Sequence, residues 1–511
     1  MPGKFILCFF FLFQIGNGCT SSHSLQSCKK TIDYKDSVLV EFGKEAFHIE
    51  GSVDSKTGKL LSTTKSFLST DYIDVSEYKY VYYALPYSED SGIAFYDSEY
   101  NMLNGLHSVK GEMIFVKIPS EARYARFSQR LNDNMQMKVM LYKQDVRPKK
   151  RKIETDYKVV FSPKEFLFSD VDEEGKVICD PNSHVKRAPL VRIPIHIVTN
   201  DGTILVACQV IYYGKNRTTS RVFVARSTDN GNNWDKSLLY KGANPNMIYD
   251  EVNNCVFALY DDSYIYTKDN GKTWSSPLPL NIGKPKGWTD FFQSPTTGIQ
   301  LKNGILATVY EAVKGEGDKI KENVNVVVFS RDFGKTWEMS PITPSNIIAN
   351  EATIAEYEEN QIMINSRGGT EVSWGSPNPG RRVFIPLNTL SKKKNNWNIE
   401  GWQLHSSDRK IIEPVCNASL IAIDIKRKKL GLFCNPHEKY NPRRNLVLQY
   451  SDDFVEWHES GLLTNFDQTV YGYCSLYYNR ERLSFVYEDM KEGILYSDIT
   501  NELKKIIESK K

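Results

Sequence analysis

Several short stretches of this chain carry side chains suited to holding an anion and to covalent chemistry beside it. They are Arg192-Ile193-Pro194, Asn350-Glu351-Ala352, Asn365-Ser366-Arg367, Cys434-Asn435-Pro436 with Arg443-Arg444-Asn445-Leu446, Gly472-Tyr473-Cys474-Ser475-Leu476, and Val486-Tyr487-Glu488. A guanidinium grips a carboxylate through two parallel hydrogen bonds and stays charged at any working pH, which lysine does less well. A phenol, with an ordinary pKa near ~10, is a poor nucleophile unless a neighbouring base removes its proton. An isolated Arg in a β-protein is usually a surface residue, and most of the 29 tyrosines serve packing. These residues make a site only if a fold gathers them from distant parts of the chain.

The elements that would do so are strands. From about Pro189 to Thr500 the sequence repeats itself: STDNGNNW at Ser227–Trp234, TKDNGKTW at Thr267–Trp274 and SRDFGKTW at Ser330–Trp337. A degenerate copy without the glycine, SDDFVEW, spans Ser451–Trp457. Each copy has the chemistry of a hairpin turn, in which Ser and Asp side chains cap backbone amides, Gly takes φ > 0 and Trp plugs the sheet. Such repeats must stack to bury a common core, which predicts a β-propeller over 186–511. The repeats themselves are structural and lie away from any active site. A single helix is expected outside the sheets, from about Asn501 to Glu508.

Upstream, 34–145 alternates apolar and polar residues in short runs such as YKYVYY and MIFVKI. Period two with frequent turns predicts a small antiparallel β-sandwich. Residues 146–185 form a linker and the strand leading into the propeller, and the basic run Arg147–Lys152 is expected to be a solvated connector. Residues 1–19 have the basic start, short apolar run (Phe5–Ile15) and small residues of an export signal. The run is too short for a ~20-residue membrane helix. The protein is therefore expected to be secreted or at the cell surface or periplasm, with no transmembrane segment. Gly18-Cys19 is a candidate lipoprotein cleavage site, which would leave a lipid anchor at Cys19.

The ordered set of motifs resembles the sialidase (neuraminidase) superfamily, bacterial-type exo-α-sialidases with Asp-box repeats. It matches the family's R-I-P, N-E…N-x-R, N-P…R-R-x-L and G-Y-S-x-L…L-Y-E elements in order, and the turn repeat matches the Asp-box. The resemblance implies an all-β fold: a six-bladed β-propeller preceded by a small jelly-roll-like β-sandwich, the latter weakly similar to carbohydrate-binding modules of exported glycosidases. It implies that Arg192, Arg367 and Arg443 grip the carboxylate of an acidic sugar, with Arg444 as fallback for the third. Tyr473 becomes the nucleophile, Glu351 its base, and Glu488 the carboxylate that orients Arg192; Tyr471 is the packing alternative to Tyr473. Tyrosine suits this role because a carboxylate nucleophile would be repelled by the substrate's own carboxylate.

One family feature is missing. The aspartate acid/base expected about two dozen residues after R-I-P falls on Asn216, which would then contact substrate, and no Asp or Glu occurs from Gly202 through Thr228. The family's nearby Asp and Arg are also absent, with Gln209 and Ile211 near their places. An amide cannot protonate a leaving group, and losing general acid catalysis typically costs ~10²–10⁴ in rate. A good leaving group, a bound water, Glu311 or Glu371 could compensate. Three functions follow. The first is a retaining exo-glycosidase releasing sialic acid or a related ulosonic acid from glycans. The second is a weak or inactive sialidase-like lectin or adhesin, and the third an unrelated propeller scaffold.

Composition narrows the field further. The 65 basic and 62 acidic residues give a formal charge of +3, which speaks against general affinity for nucleic acid. No CxxC or His/Cys cluster has metal-ligand spacing, so neither a metal nor another cofactor is expected. The nine cysteines are scattered, and most are expected to be buried small hydrophobes rather than a disulfide framework.

Overall fold

The computed structural model describes residues 30–510 apart from 35–36, 43–46, 51, 54–58, 62–66, 85–91, 108–112, 131–137, 144–149, 167–169, 172–176, 179–188, 214–217, 317–318, 369–379, 409, 426–427, 438–442, 467 and 469. The proposed export signal, Cys19, Asn216 and Glu371 lie outside the described residues. The chain divides into two units, Met1–Val146 and Arg147–Lys511.

In the first unit, alternating strands build two antiparallel sheets. One has the order Lys30–Tyr34, Ser37–Phe42, Lys138–Tyr142, Tyr80–Ala84, Met113–Lys117. The other runs Met102–His107, Gly92–Tyr96, Tyr124–Arg130, Phe67–Thr70, Phe47–Glu50, with Ile73–Asp74 beside Tyr124–Arg130. Val81, Val139 and Leu141 from the first sheet share one core with Ile93, Phe95, Ala125 and Phe127 from the second. Ile93 and Phe95, Ala125 and Phe127, and Val139 and Leu141 each stand two positions apart on their strands, the spacing that puts both side chains of a pair on the core face of packed sheets.

The second unit is a propeller of six blades, each a four-stranded antiparallel sheet apart from small extra pairings in blades II and III. Blade I comprises Leu190–Val198, Ile204–Tyr213, Thr218–Ser227 and Asp235–Lys241. Blade II comprises Asn246–Asp250, Cys255–Tyr260, Ser263–Thr267 and Leu278–Pro279. In blade III the inner strand is broken into Asp290–Gln293 and Ile299–Gln300, both paired with Leu306–Glu316, followed by Lys319–Ser330 and Glu338–Met339. The intervening Thr296–Thr297 crosses to blade II. Blade IV is Ala352–Glu358, Gln361–Ser366, Arg382–Pro386 and Trp402–Leu404. Blade V is Ser419–Ile425, Lys428–Pro436, Leu446–Ser451 and His458–Leu462.

Blade VI takes Cys474–Asn479, Arg482–Asp489 and Gly493–Asp498 from the end of the chain, but its outer strand is Lys158–Phe161 from before blade I. A strand from the start of the unit thus closes a ring otherwise finished by its end. The helix Thr500–Glu508 follows, with Leu503 and Ile506 buried in the core shared by blades V and VI.

The basic run is not wholly a solvated connector. Its described part, Lys150–Lys152, lies along the outer strand of blade V, with Arg151 and Leu462 exchanging backbone bonds through Ile153. Lys150 pairs with Glu459 at 2.6 Å, and Arg151 pairs with the buried Glu502 of the helix. Acidic partners 309 and 351 positions downstream hold charges that look merely solvated in sequence.

Three Asp-box turns follow one geometry. In the second, Thr267 Oγ1 donates to Asp269 Oδ1 (2.7 Å) and accepts the Gly271 N–H (3.0 Å), while Asp269 Oδ1 caps the Thr273 N–H (3.0 Å). The glycines have a second purpose. A Cβ on Gly271 would stand 2.6 Å from Leu205 of blade I, and one on Gly334 would stand 2.3 Å from Phe257 of blade II. Each box glycine therefore permits close approach to the preceding blade as well as positive φ (+82° and +79°). The degenerate box keeps the Ser451–Asp453 bond and places Phe454 at φ +58° instead. The five described cysteines, Cys208, Cys255, Cys416, Cys434 and Cys474, are buried and unbridged.

Candidate active site

The site lies at the end of the propeller where the inner strands begin. Glu351 and Tyr473 immediately precede the inner strands of blades IV and VI, and Arg192 lies near the start of that of blade I. Arg367 directly follows the second strand of blade IV, Arg443 precedes the third strand of blade V, and Glu488 lies in the second strand of blade VI. Four blades contribute.

Arg192 is aimed by a distortion of its strand. The register with Ile204–Tyr213 slips between Arg192 and Ile195, and Ile193 takes φ +58°, unfavourable for a β-branched residue. Pro194 has no N–H to strand at the slip. The freed Ile193 N–H is satisfied by Glu488 Oε2 at 2.8 Å. Glu488 is fully buried and accepts four bonds: Arg192 Nε (2.8 Å) and Nη2 (3.0 Å), Ile193 N–H, and Tyr473 N–H (3.0 Å). A buried carboxylate is tolerable only when paired and hydrogen-bonded in this way. Burial opposes the charge of Arg192, but attraction and hydrogen bonding to Glu488 outweigh it and raise its pKa.

Glu351 and Arg367 are cross-strand neighbours, joined by Arg367 N–H to Glu351 C=O at 2.8 Å as an extension of the blade IV ladder. Arg367 Nη1 donates to Glu351 Oε2 at 2.7 Å and to the Tyr473 hydroxyl at 3.3 Å. The Tyr473 hydroxyl in turn donates to Glu351 Oε1. Burial first, and then the charge of Glu351, push the Tyr473 phenol well above its ordinary pKa, against the pull of Arg367 and Arg443. At rest Tyr473 is a neutral phenol whose proton already points at a carboxylate.

Arg443 donates from Nη1 to Tyr471 C=O at 2.6 Å and from Nη2 to Val415 C=O. Its guanidinium lies 5.8 Å from the Tyr473 ring centre, while that of Arg192 lies 4.2 Å from Tyr471 and 5.6 Å from Tyr473. The arginines of blades I, IV and V thus surround one tyrosine. Gly472, at φ +106°, makes room: a Cβ there would stand 2.8 Å from Arg443 Cδ and 3.0 Å from Cys416 Sγ. Tyr471 presents its carbonyl to Arg443 and its ring face to Arg192.

Sequence reasoning missed the layer beneath. Arg381 and Glu413 form a fully buried pair at 3.2 Å. Arg381 Nη1 also donates to Cys416 C=O (2.7 Å), its Nε donates to Asn365 Oδ1, and Glu413 Oε2 accepts the Gly368 N–H (2.8 Å). This pair ties the turn after Arg367 to the segment whose Val415 carbonyl holds Arg443. Neither residue stands in a recognisable motif, and two buried charges look like surface residues until their pairing is seen. Gln209 sits directly across the strand pair from Arg192, held by Ser220 (2.9 Å) and the Asn244 N–H (3.1 Å). Glu311, one of the groups that could stand in for the missing acid, is 2% exposed and interacts electrostatically with Glu351 and Arg367. Among the described residues no cluster of His, Cys, Asp and Glu could hold a metal, and no helix is long and apolar enough to cross a membrane.

Fold and site together define a propeller with three arginines gathered around a tyrosine–carboxylate pair. A model of the BNR repeat-like domain matches residues 260–487. A sialidase of Paraclostridium sordellii is 22% identical over 388 residues, 66% of this chain and 91% of that protein. A sialidase of Clostridium perfringens is 21% identical over 255 residues, 42% of this chain and 66% of that protein. Among solved structures, the Hadza microbial sialidase Hz136 aligns with a TM-score of 0.53 at 17% identity, covering 89% of this chain and 98% of that one. Trypanosoma rangeli sialidase aligns at 0.52 and 16% identity over 69% of this chain and 60% of that one. The chain thus carries a BNR repeat-like domain, is similar in sequence to bacterial sialidases and shares their fold.

Proposed function

We propose that this protein is a retaining exo-glycosidase that releases a terminal sialic acid, or a related ulosonic acid, from glycans. The observation that carries the reading is the Tyr473–Glu351 hydrogen bond inside the ring of Arg192, Arg367 and Arg443. Binding a carboxylate needs the arginines alone; a phenol pre-bonded to a base among them is what nucleophilic attack needs. Two curated relatives are sialidases, and the Trypanosoma rangeli enzyme was captured with a difluorosialic acid as a covalent intermediate.

In this mechanism the three guanidiniums bind the sugar carboxylate and set the anomeric carbon over Tyr473. Glu351 takes the phenol proton as the tyrosine oxygen bonds to the anomeric carbon and the glycosidic bond breaks. The departing oxygen takes a proton from a donor outside the triad, with Asn216 contacting substrate in place of an acid. Water then attacks the anomeric carbon and gives a proton back to that same donor, the tyrosine–carbon bond breaks as Glu351 returns its proton to Tyr473, and the sugar leaves with its configuration retained. Glu488 holds Arg192 throughout.

The missing acid in 202–228 favours one competing reading, a lectin that keeps the triad without turnover. Burst kinetics with an aryl ketoside of sialic acid separates the two, because an aryl leaving group needs little protonation. Turnover by the wild type that disappears in Tyr473→Phe supports the glycosidase. Absent turnover, with free sialic acid bound and then lost in Arg367→Ala, establishes the lectin instead.

A further inference from the structure

Glu311 has no part in the mechanism above, yet it is the buried carboxyl group closest in kind to the site's own. It sits on the second strand of blade III and is 2% exposed. The contrast with Glu488 is instructive: Glu488 collects four donors at 3.0 Å or less, two of them from an arginine. Among the described residues Glu311 has only Ser294 Oγ and Asn323 Nδ2 as donors, both uncharged and both at 3.4 Å. Ser294 Oγ is already engaged as acceptor of the Ala352 N–H at 2.7 Å, next to Glu351. Asn323 Oδ1 is buried with no hydrogen-bond partner, so turning that amide over would offer an acceptor to a protonated Glu311. This environment suits a carboxylic acid and not a carboxylate.

The charged groups facing Glu311 are Glu351 and Arg367 of blade IV; Ser294 and Asn323 of its own blade are neutral. Burial, followed by the charge of Glu351, pushes its pKa up to about 8, opposed by Asn323, Arg367 and Ser294. The pocket itself holds the cations Arg192, Arg367 and Arg443 against the anions Glu351 and Glu488, a net charge of one positive. A substrate carboxylate cancels that charge. An ionised Glu311 would cancel it beforehand.

We propose that Glu311 is a charge-setting positioning residue, held as a neutral acid beside Glu351 and Arg367 so that the arginine pocket keeps the single positive charge that admits one carboxylate. The inference rests on the anion-binding reading above. Ionisation of Glu311 then weakens anion binding, and by linkage anion binding draws a proton back onto Glu311. A unit charge a few residues' breadth from the ligand, at an effective dielectric near 20, is worth about a tenfold change in affinity.

The test measures calorimetric binding of a 2,3-unsaturated sialic acid analogue between pH 6 and 9, for wild type and Glu311→Gln. The wild type is expected to lose about tenfold in affinity from pH 6.5 to 9, and Glu311→Gln to stay nearly flat. Wild-type titrations near pH 8 in buffers of different ionisation enthalpy should also show proton uptake on binding, a readout that needs no variant. An equal alkaline loss in Glu311→Gln, or no proton uptake by the wild type, overturns the proposal and leaves the functional reading intact. A folded wild type that binds the analogue at no pH overturns the functional reading and this inference with it.

Discussion

Two sets of polar turns punctuate this propeller, and they are built on opposite plans. An Asp-box turn is satisfied from within: Ser330, Asp332, Gly334 and Thr336 bond to one another across at most four positions. The site at the propeller's end is satisfied only from afar. Arg192 and Glu488 are 296 positions apart, and Tyr473 and Glu351 are 122 apart. The box is a local solution that can be repeated in successive blades. The site exists once, because only the closed ring brings blades I, IV, V and VI to a common point. Damage to a box should therefore act through stability, and damage to the site through chemistry or binding.

The largest effect expected is on turnover in Tyr473→Phe, which removes the hydroxyl between Glu351 and Arg367. Hydrolysis of an aryl sialoside should fall by roughly a thousandfold or more, the scale of losing an activated nucleophile. Binding of sialic acid should persist, and thermal unfolding should shift little. A variant that keeps more than about a tenth of wild-type turnover would remove Tyr473 from the mechanism.

Arg192→Ala sits on the border between the two plans. It removes a guanidinium proposed to bind the sugar carboxylate and leaves Glu488 buried without its cation, so affinity and stability should fall together. Breaking a buried pair by deleting one partner typically costs ~3–5 kcal/mol, readable by chemical denaturation. Arg192→Ala with Glu488→Gln should recover part of the stability and none of the binding.

Gly334→Ala tests the box plan in isolation. It places a Cβ 2.3 Å from the Phe257 ring at φ +79°, so either that ring or the packing of blade III on blade II must shift. A loss of about 1–3 kcal/mol is expected for such overpacking, with specific activity per folded molecule unchanged. A loss of activity without a loss of stability would show that the two regions are coupled.

The smallest effect concerns pH. Asp269 is held at a pKa of about 2 by bonds from the Thr273 side chain and backbone, lowered from its ordinary value. Because its folded pKa is depressed, the stabilisation is present above the unfolded value and is lost as pH falls through about 2. Asp269→Asn should melt slightly lower than wild type above pH 5, where the charged cap acts, and the two curves should converge as pH falls through about 2, so that the variant's acid limb is flatter. An unaltered acid limb would mean the cap contributes nothing measurable.

The chain's own order of residues determined the fold class and the turns. Period-two alternation and the Asp-box copies depend on neighbours a few positions apart, so they are legible one segment at a time. The helix at Thr500–Glu508 was legible for the same reason. The candidate site was nameable only because its motifs occur in a familiar order; nothing local says that Arg192 meets Glu488 or that Arg367 meets Tyr473. The remainder was decided by tertiary structure. Lys158–Phe161 closes blade VI because the ring needs an outer strand there, which no reading of its four residues reveals. The basic run docks because Glu459 and Glu502 fold beside it. Arg381, Glu413 and Glu311 carry ordinary surface letters, and only burial turns the first two into a scaffold and the third into a neutral acid. Charge is a property of a residue, but the state and consequence of a charge belong to its surroundings, and those are assembled from hundreds of residues away.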